Sequence, residues 1–134
     1  MKHNGFTIIE MMVVIVIVSI LTLLAMSVYT RSVRQGRRAD GVDSLLSMSL
    51  AEERYRTINT TYGTLAQVWG GVTTSTQGYY TLSISNVSAT SYTLTATAIG
   101  DQANDASGST SCTPLTLTAS SGTMTQAPAA CWPQ

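Results

Sequence analysis

The sequence predicts an α+β protein in which one long N-terminal helix packs against a small antiparallel β-sheet. Three observations predict it. An uninterrupted apolar run fills residues 6–26, a helical pattern without proline continues to about residue 58, and the second half alternates apolar residues with Ser and Thr. A sheet that covers an amphipathic helix buries the apolar face of each. The 134 residues suffice for one small domain and an anchor.

The apolar run has the length of a membrane-spanning helix. From Phe6 to Met26 such a helix reaches roughly 30 Å, the thickness of the hydrocarbon core of a bilayer. Its one ionisable residue is Glu10, near the N-terminal end. A carboxylate in lipid is costly, so its position predicts a function and a cationic partner.

The residues around the start of the run resemble a processing site. Gly5-Phe6-Thr7-Ile8-Ile9-Glu10 is similar to the cleavage site of the type IV pilin family. The resemblance implies that prepilin peptidase cuts between Gly5 and Phe6, that Phe6 is N-methylated, and that Glu10 is needed for assembly. Physically, the new amine of Phe6 is a cation that a carboxylate of an adjoining subunit can neutralise in lipid. The alternative is a plain membrane anchor with an incidental Glu10.

The resemblance also implies a pilin fold and a division of the chain. It predicts a leader peptide at 1–5, a transmembrane and filament-core helix at 6–30, and a globular pilin domain at 31–134. Within that domain we expect four parts, which are an amphipathic helix half at 31–58, an αβ-loop at 59–78, an antiparallel sheet at 79–119 and a C-terminal disulfide region at 112–134. The family places this domain outside the cytoplasm, although the positive-inside rule alone would keep its Arg-rich start inside.

The second half of the helix is predicted to be amphipathic. Apolar or small residues recur at helical spacing and predict a buried stripe, formed by Val42, Leu45, Leu46, Ser49 and Leu50. Charged residues are expected on the opposite surface: Arg37, Arg38, Asp40, Asp43, Glu52 and Arg56. Glu52 precedes Arg56 by four residues, the order that favours an ion pair on a helix.

This half also looks like the corresponding part of type IVa pilins of the PilE type, through 37–40 and 51–62. Two positions depart from that pattern, because Ser19 and Ser27 stand where many pilins carry Gly and Pro. The helix therefore lacks those breaking residues, and we expect it to melt less readily inside a filament. Ser19, Thr22 and Ser27 are still able to bond back to carbonyl groups one turn earlier.

Residues 59–78 are predicted to form a long loop, in which Trp69 pins the chain to the core. The alternative is an exposed Trp69 that stacks on a ligand. Three strands are then predicted from period-2 alternation, at 79–85, 92–99 and 115–119. Their inward residues are expected to be Tyr80, Leu82 and Ile84 from the first strand, and Tyr92, Leu94, Ala96 and Ala98 from the second. The segment 122–134 has little regular pattern.

The two cysteines, Cys112 and Cys131, are too few for a four-ligand zinc site, and the one His, His3, lies in the predicted leader. Outside the cytoplasm a disulfide is the default, with two reduced buried thiols as the alternative. The order Cys112-Thr-Pro-Leu, then Gly122, then Cys131-Trp132 is similar to the tail of PilE-type pilins. In that family the disulfide-closed segment forms a filament surface.

Charge and chemistry exclude several classes of function. Seven basic and seven acidic residues cancel, and every Arg lies between Arg31 and Arg56, so the chain lacks the footprint of a protein that wraps nucleic acid. Without a His after cleavage, a Ser-His-Asp or Cys-His catalytic set is impossible, and no cofactor or metal is expected. Asp101 and Asp105 suggest either a calcium loop or, more simply, two solvated turn acids.

The sequence therefore predicts a structural subunit of a type IV pilus rather than an enzyme. The expected partners are other pilin subunits, the prepilin peptidase, the inner-membrane assembly platform and the membrane itself. The location is the inner membrane before assembly and the extracellular pilus afterwards. Two alternatives remain, which are a minor pilin that captures DNA for uptake and a type II secretion pseudopilin.

Overall fold

The structure, a computed structural model, describes residues 5–133, which form two compact units divided after Val33. One helix, α1 (Ile8–Ile58), contributes to both. In the first unit every described residue from Gly5 to Tyr29 is exposed. This stretch is long and apolar enough to cross a membrane. The predicted helix at 6–58 is therefore confirmed, with its start two residues later.

Hydroxyl groups in the apolar half of α1 bond back to the helix backbone. Ser19 Oγ donates to Ile15 O at 2.6 Å and Thr22 Oγ1 donates to Val18 O at 2.8 Å. Ser27 Oγ donates to Leu24 O at 3.0 Å. These bonds confirm the predicted back-bonding. They do not interrupt α1, which continues without a break to Ile58. The polar groups of these side chains are thus satisfied within the helix, as an apolar solvent requires.

The second unit contains a four-stranded antiparallel sheet. Its strands are β1 (Tyr80–Ser85), β2 (Ser91–Ala98), β5 (Leu115–Ser120) and β6 (Thr123–Ala127), hydrogen-bonded in the order β1-β2-β5-β6. The register sets Ile84 opposite Leu94 and Leu94 opposite Leu117. A hairpin of two-residue strands, β3 (Ala106–Ser107) and β4 (Thr110–Ser111), stands apart from this sheet. Two 3₁₀ turns, at Gly100–Asn104 and Ala129–Cys131, complete the unit.

The inward positions of β1 and β2 agree with the prediction, since Tyr80, Leu82, Tyr92, Leu94, Ala96 and Ala98 are buried. Ile84 is partly buried against the same core. The outward positions of all four strands carry only Ser, Thr and Ala. The sequence missed β6, whose five residues are all exposed and show no alternation. A two-residue turn, Ser121 and Gly122, makes this hairpin, and both residues have positive φ, 50° and 82°.

The face of α1 that packs on the sheet differs in part from the predicted stripe. Val42, Leu45 and Ser49 are buried as expected. Leu46 and Leu50, however, are 47% and 54% exposed. Met48, which was not part of the predicted stripe, is buried in the core instead. The buried face includes two acids, Asp40 and Glu52, that the sequence had assigned to the outer surface.

Candidate functional site

The predicted processing site lies before the first turn of α1. Gly5 and Phe6 precede the helix and are exposed, and the Phe6 side chain is 78% exposed. Thr7 Oγ1 accepts the Glu10 backbone N–H at 3.3 Å, which satisfies one free amide of the first turn. The Glu10 side chain is exposed on the same turn. The leader residues 1–4 lie outside the described residues.

A buried carboxylate, Asp40, holds the start of β1 onto α1. Its Oδ2 accepts the Ser75 hydroxyl at 2.5 Å and the Tyr79 backbone N–H at 3.4 Å. Its Oδ1 accepts the Gln77 backbone N–H at 3.0 Å. Ser75 Oγ in turn accepts the Tyr80 backbone N–H at 3.0 Å. The prediction that Asp40 faces solvent was therefore wrong, because donors distant in sequence converge on this carboxylate.

A second buried carboxylate, Glu52, holds the start of the αβ-loop. Its Oε2 accepts the Gly63 backbone N–H at 2.8 Å, while Oε1 has no hydrogen-bond partner in the described residues. Burial raises the pKa of Glu52, with the Gly63 amide opposing the shift and the nearby Glu53 charge adding to it. A Cβ at Gly63 would meet Val68 Cγ1 at 2.5 Å, so any side chain at this position would force Val68 to move.

The predicted ion pair between Glu52 and Arg56 is also wrong. Arg56 Nε donates to Ala89 O at 3.1 Å, and its Nη1 donates to Asn59 O at 2.8 Å. Arg56 therefore joins the end of α1 to the connection between β1 and β2. The carbonyl groups at a helix C-terminus attract a cation, which explains this choice of partner.

The αβ-loop contains a short helix that the sequence analysis missed, α2 (Leu65–Trp69). Gln67 Oε1 accepts the Thr64 backbone N–H at 2.8 Å, which is half of a capping box. The pair Thr64 and Gln67, three residues apart, was the available signal. Trp69 ends α2 and is partly buried against the core, which confirms that it pins the loop.

Two ion pairs fasten the segment after β2 to α1. Arg34 Nη2 lies 2.6 Å from Asp101 Oδ1, and Arg38 Nε lies 2.6 Å from Asp105 Oδ2. The Arg34 guanidinium lowers the pKa of Asp101. The expectation of two solvated turn acids was wrong for Asp105, which is only 2% exposed, whereas the Asp101 side chain is 54% exposed. Within residues 5–133, no group of three or more His, Cys, Asp or Glu residues is placed to hold a metal ion.

The C-terminal segment is closed by the disulfide Cys112–Cys131, with a Cα–Cα distance of 5.5 Å. Both cysteines are buried. Trp132 follows directly and donates its Nε1–H to Ala127 O, at the end of β6. The disulfide prediction is confirmed, and the bond joins the residue after β4 to the 3₁₀ turn at Ala129–Cys131.

A buried hydroxyl network joins the centre of the sheet to α1. The Tyr92 hydroxyl lies 3.0 Å from Ser49 Oγ and donates to Glu53 Oε1 at 3.3 Å. Burial, with a further contribution from the Glu53 charge, raises the pKa of Tyr92 to about 12. The Tyr62 ring packs edge-on against Tyr92, with centroids 4.6 Å apart. This network ties the loop, the sheet and the helix together at one point.

Two family models match the chain over adjoining segments. Residues 1–26 match the prokaryotic N-terminal methylation motif. Residues 27–116 match a family described as type IV minor pilin ComP, DNA uptake sequence receptor. The chain belongs to the type IV pilins. Within the type IV pilins, the chain belongs to the family described as type IV minor pilin ComP, because that match covers about two thirds of the chain. No curated protein matches the pilin.

Membership of the type IV pilin family explains why the apolar half of α1 is exposed. The pilin is anchored in the membrane by this helix and is later assembled into an extracellular pilus. The family implies assembly with other pilins and processing by a prepilin peptidase. Pilin families are structural rather than enzymatic, and the pilus-subunit prediction is confirmed at this level.

Proposed function

We propose that this pilin is a minor subunit of a type IV pilus whose second unit binds DNA for uptake. The match to a family described as a DNA uptake sequence receptor carries the proposal. The matched segment spans the second half of α1, the αβ-loop, the strands β1 to β4 and the first two residues of β5. On this ground we propose DNA binding, which the sequence alone offered as an alternative to a purely structural role.

The number of Arg side chains without a carboxylate partner limits how many DNA phosphates the second unit can contact. Arg34 and Arg38 already face carboxylates, so they add little to the field at a DNA surface. Arg54 and Arg56 have no carboxylate partner within 4.0 Å in the part of the chain that the structure describes. Arg37 lies over the Tyr79 ring, 4.7 Å from its centroid, and 4.0 Å from Asp101. In the second unit, which begins at Arg34, at most these three guanidinium groups are available for phosphates.

A small number of phosphate contacts predicts a shallow dependence on salt. Each neutralised phosphate contributes about −0.9 to the slope of log K against log salt, so three contacts give about −3. Neutral hydroxyl and amide groups then supply the remaining contacts, and such groups also reach base edges. We therefore expect modest affinity with sequence preference, rather than strong non-specific binding.

The test uses the full chain in nanodiscs of zwitterionic lipid with a pool of randomised DNA duplexes. Binding is measured by fluorescence anisotropy over a salt series, and bound duplexes are sequenced. We expect enrichment of a sequence subset and a slope no steeper than about −3. R54Q should reduce binding more than R34Q, which changes the net charge equally but removes an Arg already paired with Asp101. Absence of binding at low salt contradicts DNA capture while leaving the pilin assignment intact.

The same proposal includes the processing and assembly roles expected from the sequence. Cleavage between Gly5 and Phe6 creates a cationic amine, which N-methylation modifies. In the filament the Glu10 carboxylate of one subunit neutralises the amine of an adjoining subunit. Support comes from the N-terminal methylation match and from the exposure of Phe6 and Glu10 on the described chain. E10Q should reduce incorporation into surface filaments, whereas D43N, at an exposed acid of the same helix, should not.

A second candidate function is that of an abundant structural subunit. The observation that favours it is the outward face of the sheet, which carries only Ser, Thr and Ala. Copies with such a face can stand side by side without charge repulsion. Quantitative mass spectrometry of sheared filaments separates the two functions, because a minor subunit is present at a small fraction of the main pilin.

A further inference from the structure

The αβ-loop and α1 enclose two adjoining clefts around Trp69. One has a volume of about 320 Å³ and the other a volume of about 250 Å³. They share Ser44, Trp69 and Thr76, so they form a continuous groove. The larger cleft adds the apolar side chains Val72 and Leu82. The smaller adds polar side chains, among them Asp43, Ser47 and Gln77. We call this the Trp69 groove.

The walls of the Trp69 groove are held in place by contacts within the protein. Glu52 binds the Gly63 amide just before α2, and Gln67 closes the first turn of α2 on Thr64. On the other side, the Asp40 carboxylate fixes the segment from Ser75 to Tyr79. A ligand therefore meets a preformed site and does not have to order the loop, which lowers the cost of binding.

The polar groups along the groove have unused hydrogen-bonding capacity. The side chains of Asp43, Ser47, Thr76 and Gln77 are exposed. None of them makes a side-chain hydrogen bond within the described residues, and the same holds for the Trp69 indole N–H. No Arg or Lys lines either cleft. The groove thus combines an aromatic surface, hydroxyl, amide and carboxylate groups, and no cation.

We propose that the Trp69 groove binds a neutral saccharide of one or two rings. The apolar face of a pyranose ring packs on an indole, and its hydroxyl groups both donate to a carboxylate and accept from an amide or an indole N–H. The clefts lie at or just below the range of about 300–1,000 Å³ typical of small-molecule sites, which fits one ring in each. Val72 and Leu82 supply an apolar patch for a methyl group, such as that of an N-acetyl substituent.

The charge of the groove separates this site from the proposed DNA surface. Asp43 is exposed at the groove, and the Asp40 carboxylate lies in its wall. A phosphate placed there meets negative charge with no cation among the lining residues, which disfavours a nucleic acid. The saccharide site therefore does not rest on DNA binding, and either can fail without the other.

The test uses the full chain in nanodiscs prepared without sugar-based detergent. The neutral probes are galactose, N-acetylglucosamine, maltose and chitobiose, and the charged probes are glucosamine and glucuronate. Binding is followed by saturation-transfer NMR and by tryptophan fluorescence. A ligand of this size at a preformed site is expected to bind with a Kd on the order of 1 mM.

Matched variants make the outcome decisive. D43N combined with S47A changes two exposed groove side chains that make no hydrogen bonds of their own, so folding is preserved, and we expect a roughly tenfold weaker Kd. T125A combined with Q126A changes two exposed side chains of β6, outside the groove, and should leave the Kd unchanged. The proposal is overturned if no neutral probe binds at about 50 mM. It is equally overturned if only glucosamine binds, or if the groove variant binds as well as the unchanged pilin.

Discussion

The most specific prediction about stability concerns Asp40, because its buried carboxylate accepts hydrogen bonds from three donors. The Ser75 hydroxyl and the Tyr79 amide face Oδ2, and the Gln77 amide faces Oδ1. In D40N one of these oxygens becomes an NH₂ group. Whichever way the new amide is oriented, its NH₂ faces a backbone N–H, so at least one hydrogen bond is lost.

The size of the effect follows from this geometry. A hydrogen bond to a charged group contributes about 1.5–3 kcal/mol, so D40N should lower the free energy of unfolding by about 2 kcal/mol. D40A removes every acceptor and leaves the hydroxyl of Ser75, a residue that is only 5% exposed, without an acceptor, so we expect a loss of about 4 kcal/mol. For a unit of this size, 2 kcal/mol corresponds to a decrease in Tm of roughly 10 °C.

The assay is urea unfolding of the full chain in nanodiscs, followed by tryptophan fluorescence. Both tryptophans, Trp69 and Trp132, lie in the second unit, so the signal reports this unit and not the membrane helix. D43N is the matched control, because Asp43 is exposed and makes no side-chain hydrogen bond in the described residues. It should change the free energy of unfolding by less than about 0.5 kcal/mol. Equal, small losses in D40N and D43N would refute the structural role given to Asp40.

Three further predictions concern pH and the disulfide. Because burial raises the pKa of Glu52 above its ordinary value of 4.5, the stability of the unchanged pilin relative to E52Q should decrease as the pH rises above that value, and a pH-independent difference in unfolding free energy would contradict this. The pKa of Tyr92 is raised from 10 to about 12, so stability should fall more steeply between these pH values in the unchanged pilin than in Y92F, where Tyr62 and Tyr80 still have a raised pKa; equal slopes in alkaline denaturant titrations would contradict this. Replacing Cys112 and Cys131 together by Ala opens a loop closed by residues 19 apart and should cost about 3 kcal/mol; an unchanged urea midpoint would argue against it.

The sequence predicted the elements whose side chains alternate between two environments. The period-2 pattern of β1 and β2 was read correctly, because their inward positions are apolar and their outward positions are Ser or Thr. The pattern did not predict β6, because all five of its residues are exposed and Met124 is its one large apolar side chain. The Ser121–Gly122 turn and the Thr64–Gln67 cap were signals in the sequence that would have located β6 and α2.

Helical periodicity did not predict that two acids of α1 are buried. Helical periodicity assigns Asp40 and Glu52 to the water-exposed side, because an acid is costly to bury without partners. Their partners are backbone amides at Gly63 and Gln77, and a backbone amide leaves no trace in the sequence. The family motif at Gly5 to Glu10, in contrast, could be recognised from the sequence alone, and residues 1–26 match the N-terminal methylation motif.

The central claim is that this chain retains its apolar helix after cleavage and exchanges lipid for neighbouring subunits in a pilus. Mass spectrometry of filaments sheared from the cell surface tests it most directly. The account predicts a chain that begins at an N-methylated Phe6 and contains the Cys112–Cys131 disulfide. A native protein that begins beyond Met26, or one that is absent from the filaments, would contradict it.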